Sequence, residues 1–280
     1  MGSTPQALYS QTMGERPLPG AWISTELGEA VFPTLRSKNE RSLREIQEQL
    51  SQMAPQSITT SVLVRLTWSS RQTPGRLNNI VGLLPGRDSM TSAEAVVIGA
   101  HRDHFGRQAG LLFPGADDNA SGTAVLLEVA KVLKDSGLPP VRSILFVSFS
   151  GEEQGLAGSR LYISHPAHSL KTTKAMINID HAGVGNGRLT VGVTGLPKEV
   201  AAEAGQRADL SDKLDLFGFF PGGDHVPFKE AGVPTITVVS GGAHPHFHQP
   251  SDTAETVQPE ILEAAARYVV ALTWELAQFP

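Results

Sequence analysis

The chain has 280 residues, 40% of them apolar, with a formal net charge of −5 and a pI near 6.0. This supports a sizeable core in one large α/β domain or two small ones, and the missing basic footprint excludes nucleic acid as an expected partner. With no cysteine there are no disulfides, zinc ribbons or thiol nucleophiles, and no apolar run approaches the roughly 20 residues needed to cross a bilayer.

Residues 1–38 are rich in Pro, Gly, Ser and Thr and read as an N-terminal arm or extended segment. The first nine residues have neither a basic n-region nor an apolar h-region, so no signal peptide is expected there. Asn39–Met53 predicts a helix, with Ser42 and Glu45 placed for a capping box and Leu43, Ile46 and Leu50 on one face. Ser57–Ser69 alternates and is β-branched, which predicts a strand, and Leu77–Leu84 predicts another. From there strand, loop and helix alternate. Strands are expected at 95–100, 143–149, 174–180, 189–193 and 234–239. Helices are expected after Asp118 and at 155–164, 198–207, 225–231 and 259–277. The alternation predicts an α/β fold: a mixed, centrally parallel β-sheet flanked by helices on both faces, a three-layer sandwich. Its functional crevice should lie beyond the carboxyl ends of the strands.

Polar residues gather there. The strand ending at Ala100 runs into His101 and Asp103, that ending at Phe149 into Glu152 and Glu153, and the next into Asp180. After Val239 comes a tract holding His244, His246, His248 and Asp252. Asp117 and Asp118 sit in a glycine-flanked loop before an apolar helix, where either Asp118 or Asn119 could serve as N-cap. Taken singly, each has a plainer use as a turn or surface residue. A buried cluster of carboxylates without a cation would cost several kcal/mol per charge or force protonation, and divalent metals resolve this. Carboxylate and imidazole suit zinc.

These stretches resemble the co-catalytic dizinc aminopeptidases of peptidase family M28. Gly99–Gly106, Gly115–Gly122, Ser150–Ser159, Asn178–Asp180 and His248–Thr253 are similar to its successive motifs, in order, over roughly residues 75–280. The resemblance implies that His101 and Asp180 hold one zinc, Glu153 and His248 the other, and that Asp118 bridges both. The register Asp-x-x-Ser-Gly selects Asp118 over Asp117, and His-x-x-x-Asp-Thr selects His248 among the clustered histidines. It makes Glu152 the general base, has Asp103 orient His101 through its second ring nitrogen, and gives Asp252 a supporting role towards His248. Asp224-His225 is similar to an Asp-His segment of the family, with Gly223 where serine is common. His181 stands where an apolar residue, often methionine, is usual. His104, His181, His225, His244 and His246 are therefore candidates for lining the pocket.

The resemblance further implies a single metallopeptidase domain over 39–280. It would carry two Zn²⁺ per chain (Mn²⁺ or Co²⁺ as substitutes) and hydrolyse the N-terminal bond of peptides through a metal-bridging water and the glutamate base. The expected partners are peptides with a free N-terminus, not nucleic acid or a membrane; the sequence leaves the oligomeric state open. Export to a secreted or periplasmic location is implied by the family alone. A carboxypeptidase-like or glutaminyl-cyclase-like amide hydrolase is the alternative, and a non-catalytic binding domain a further one.

Overall fold

The structure, a computed structural model, describes residues 25–31, 75–87, 93–108 and 110–278 and the single positions 63, 65 and 67. The chain divides into two compact units, one built mainly of residues 12–75 and the other of residues 76–280. In the first, Thr25–Val31 forms helix α1, within the segment whose composition reads as extended. Glu26 in its first turn complements the helix dipole. The expected helix at 39–53 lies outside the described residues, as does the expected strand at 57–69 apart from positions 63, 65 and 67.

The second unit is built on a seven-stranded sheet. Its strands are β1 (Ile80–Leu84), β2 (Ala95–His101), β5 (Ser143–Phe149), β6 (Thr173–Ile179), β7 (Leu189–Thr194), β8 (Leu214–Phe217) and β9 (Thr235–Ser240). They lie in the order β1-β5-β2-β6-β9-β7-β8. The central four, β5, β2, β6 and β9, run parallel, while β1 pairs antiparallel with β5 and β7 antiparallel with β9. The sheet is thus mixed and centrally parallel. Two elements are not evident in the sequence: β8, and a hairpin of β3 (Gly106–Gln108) with β4 (Leu111–Phe113). All three strands have four residues or fewer, too short for alternation to register.

Because the central strands are covered on both sides, they are mostly apolar, and alternate residues serve opposite faces. Val96, Ile98, Ile144, Ile177 and Ile236 pack on helices α2 (Gly122–Asp135), α4 (Lys198–Arg207) and α6 (Pro259–Gln278) through Val125, Val129, Ala204, Tyr268 and Leu272. Val97, Leu145, Val147 and Met176 pack on the other side with Tyr162 of α3 (Ala157–Ser164) and Phe228 of α5 (His225–Glu230). Each large side chain buried this way stabilises by about 1.5–3 kcal/mol. Gly99 must stay small: a Cβ there would lie 2.3 Å from the Phe149 ring. No helix among the described residues is long and apolar enough to cross a membrane.

Candidate metal centre

The sheet register places the first polar pair. β2 and β6 pair at Gly99 and Asn178, and His101 and Asp180 each lie two residues further on, at the carboxyl rim. His101 Nε2 is 3.3 Å from Asp118 Oδ1 and 3.4 Å from Asp180 Oδ1. Glu152 and Glu153 follow β5 across a turn in which Gly151 has φ +73°. His248, itself at φ +55°, comes from the loop after β9, with Nε2 3.0 Å from Asp118 Oδ2 and 3.6 Å from Glu153 Oε2.

Asp118 therefore stands between two sets of side chains, one oxygen towards each. It is 3% exposed, so its charge needs a fixed partner. Its backbone is held by Asp252, whose carboxylate accepts the N–H of Asp117 (2.8 Å) and of Asp118 (3.1 Å). Asp252, expected beside His248, thus secures the Asp117–Asp118 backbone. The two carboxylates also precede α2 by a full turn. Asn119, not Asp118, reaches the helix start, its Oδ1 accepting the Gly122 N–H at 2.9 Å.

Asp103 meets the second ring nitrogen of His101 through its backbone carbonyl. His101 Nδ1 lies 3.0 Å from the Asp103 backbone carbonyl and 3.9 Å from its carboxylate, which instead accepts the Glu152 N–H at 3.3 Å. A residue type in a sequence does not say which of its acceptors will be used.

The extra histidines divide. His104 Nδ1 lies 2.6 Å from Glu153 Oε1. Its ring occupies space that a Cβ at Gly115 (φ +69°) would enter, at 2.4 Å. His244 Nδ1 lies 2.7 Å from Asp117 Oδ2. His181 and His244 border a cavity of about 420 Å³ together with Phe220, Thr237, Val239 and Phe247, and Glu152 opens onto the same space. His225 and His246 turn elsewhere, to the Phe220 carbonyl (2.7 Å) and the Ser251 hydroxyl (2.9 Å). The contact of His104 with Glu153 is not readable from the sequence motifs; the one signal for it is its place three residues past His101.

Burial and charge act strongly here. Burial pulls the His101 imidazole down, but Asp180, Asp118 and Glu152 outweigh it and hold its pKa well above the ordinary value. Burial raises Asp118, yet His101, His248 and His181 keep it well below the usual carboxylate range. Burial pushes Glu152 up to about 9, opposed by His101 and reinforced by Asp180 and Asp224. Burial likewise takes the enclosed Asp224 up to about 7.

Three groups among the described residues bring donor atoms close enough for one cation: His101, Asp118 and Asp180; His104, Asp118 and Glu153; Asp117, His181 and His244. Distances sort them. Donors about 2.0–2.1 Å from one zinc at the tetrahedral angle lie about 3.3–3.4 Å apart. The pairs His101–Asp118, His101–Asp180, His248–Asp118 and His248–Glu153, at 3.0–3.6 Å, fit co-ligands. His244–Asp117 at 2.7 Å is a direct hydrogen bond, whereas His104 Nδ1 and Glu153 Oε1, 2.6 Å apart, do not meet at hydrogen-bonding angles. The donor set thus fits divalent metal around Asp118, with His104 close against Glu153.

Residues 79–273 match the model of peptidase family M28. The chain belongs to that family. Among M28 relatives, Aminopeptidase YwaD of Bacillus subtilis (strain 168) is 32% identical over 208 residues, which are 70% of this chain and 44% of that protein. A probable leucine aminopeptidase of Arthroderma otae is 31% identical over 212 residues, 71% of this chain and 57% of that one. Among solved structures, BSAP, a zinc aminopeptidase from Bacillus subtilis, superposes with a TM-score of 0.62 at 31% identity, covering 72% of this chain and 50% of that chain. The chain spans about half the length of the M28 proteins it matches.

Proposed function

We propose that the protein is a zinc-dependent aminopeptidase that removes the N-terminal residue of peptides, with two zinc ions per chain. The observation that carries the reading is the spacing around Asp118. Four co-ligand pairs at 3.0–3.6 Å surround one buried carboxylate, while Glu152 stands further off, its Oε2 4.0 Å from His101 Nε2, and borders the cavity. In this reading His101 and Asp180 hold one ion, Glu153 and His248 the other, and Asp118 serves both. Relatives described as aminopeptidases and a zinc aminopeptidase structure support it.

Zinc held there supplies Lewis-acid polarisation of the scissile carbonyl and a lowered pKa for water. The remaining work falls to the chain. Glu152 takes a proton from the attacking water and returns it to the leaving amine. Its backbone is fixed by the Asp103 carboxylate, through the N–H at 3.3 Å. Asp103 also sets the His101 ring, its backbone carbonyl 3.0 Å from Nδ1, so one residue aligns both ligand and base. Phe220, Val239 and Phe247 form apolar walls that exclude water around the substrate's first side chain.

The test is metal content of protein purified without chelator, paired with hydrolysis of a panel of aminoacyl amides. About two zinc ions per chain, with turnover abolished by chelation and restored by zinc, is the expected result. Protein that takes up no zinc when it is supplied would overturn the ligand assignment. Bound zinc with turnover only on N-terminally blocked peptides would overturn the aminopeptidase reading while leaving the metal site.

A further inference from the structure

Asp117, the neighbour of the shared carboxylate, is no ligand in the five-residue set, yet it is buried and every polar atom it has is used. Its Oδ1 accepts the Gly183 N–H at 2.8 Å, and its Oδ2 lies 2.7 Å from His244 Nδ1. Its own N–H goes to Asp252 Oδ1 at 2.8 Å, and its carbonyl accepts the Ser121 hydroxyl at 2.6 Å. His244 meets a second acceptor as well, the Ser240 carbonyl, 3.0 Å from Nε2. A carbonyl only accepts, and so does a carboxylate ionised in its ordinary range. Both ring nitrogens therefore donate, and the His244 ring carries two protons and a positive charge. Its contact with Asp117 is a charge-assisted hydrogen bond, short and shielded from water.

This contact governs the segment that follows β9. Residues 244–252 leave the corner at Asp117 and come back to it. His244 holds one end through the Asp117 carboxylate, and Asp252 holds the other through the N–H groups of Asp117 and Asp118. Between them His246 Nδ1 and the Ser251 hydroxyl, 2.9 Å apart, close the loop on itself. Within the span lie Phe247, a wall of the cavity, and His248, their rings stacked with centroids 3.7 Å apart. The backbone of His248 is left-handed (φ +55°), a conformation uncommon for a residue with a Cβ and one that surrounding contacts must hold.

We propose that His244 is a positioning residue of the centre: donating from both ring nitrogens, to Asp117 and to the Ser240 carbonyl, it sets the place of His248 at the ion and of Phe247 beside the substrate. The proposal rests on the dizinc reading and adds to it the residue that seats one of the ligands.

The test compares the wild-type chain with His244→Phe, which keeps a ring and removes both donors, and His244→Asn, whose amide nitrogen stands near the place of Nδ1. Each protein is stripped of metal and titrated with Zn²⁺ against a chromophoric chelator and with Co²⁺ read by visible absorption. In His244→Phe one of two binding steps should weaken by about 10–100-fold, with a changed cobalt band for that step, while the other step holds. His244→Asn should recover part of the loss, because it restores the donor towards Asp117. Two unchanged steps in both variants, or a His244→Asn no better than His244→Phe, would overturn the proposal. Asp117→Asn should weaken the same step, and combined with His244→Phe it should cost less than the product of the two single effects, since both remove one contact. Fully multiplicative losses would overturn the link between the two residues. Should His244→Phe fail to fold, Asp117→Asn alone decides, and an unaltered step there would overturn the proposal too. A wild-type chain that binds neither metal sinks the dizinc reading itself; two wild-type steps that the variants leave untouched sink only the role of His244.

Discussion

The two proposed ion positions share Asp118 but are built differently. The first takes His101 from the last residue of β2 and Asp180 from the first residue past β6, so strand pairing alone sets them side by side. The second takes Glu153 from a turn and His248 from a loop, with His104 Nδ1 only 2.6 Å from Glu153. A position inherited from sheet register is as rigid as the sheet. One assembled from loops depends on each local hydrogen bond, and its ion should leave first under a graded chelator challenge.

The sharpest way to separate both positions from the chemistry is Glu152→Gln. Glu152 is the proposed base and not a proposed ligand, its Oε2 4.0 Å from His101 Nε2, so zinc content should be retained while kcat falls by about 10²–10⁴-fold. Near-normal turnover would remove Glu152 as the base. His104→Ala acts on one position only. It should weaken the loop-built ion by about 10–100-fold and leave the strand-built ion alone, because His104 lies against Glu153 and not against His101 or Asp180. Equal weakening of both ions in a chelator titration would mean that the two positions are not independent.

A smaller effect is a pH slope in the metal-free protein. Glu152 is raised to about 9 by burial and Asp224 to about 7, while His181 reaches about 10 because Asp180, Asp117 and Asp118 outweigh its burial. Each folded-state pKa exceeds its unfolded value. The stabilisation from these groups is therefore full below the unfolded values and drains as pH climbs through about 7 and on towards about 10. Metal-free melting temperatures should fall between about pH 6 and about pH 9, and saturating zinc should flatten the slope because the ion replaces the protons. A metal-free protein whose melting temperature rises over that range would contradict the buried, proton-holding cluster.

The same contrast explains what was legible in the sequence. Strands such as Ala95–His101 and Ser143–Phe149 announce themselves as apolar runs, and their first polar residues fall at the rim by the rule for parallel sheets. Strand-built ligands are therefore readable. His104 against Glu153, and Asp252 against the backbone of Asp117 and Asp118, depend on how loops fold back, which no local pattern encodes. Asp103 shows the limit at atomic level: its place two residues past His101 is plain, but not that its carbonyl rather than its carboxylate meets the ring. The strands Leu214–Phe217 and Gly106–Gln108 were lost to brevity.

The grip of Asp252 on two successive backbone N–H groups also has a bearing on how the centre comes into being. It joins points 135 residues apart, a closure that forms only once the chain as far as the β9–α6 loop has been laid down. Contacts of such sequence separation form late, because the intervening chain must be ordered before they are rewarded. A partly folded or nascent chain can have β2, β5 and β6 paired and still lack a fixed seat for the shared carboxylate. In the dizinc reading, hydrolytic competence waits on this closure, which seats the carboxylate that both ions would share.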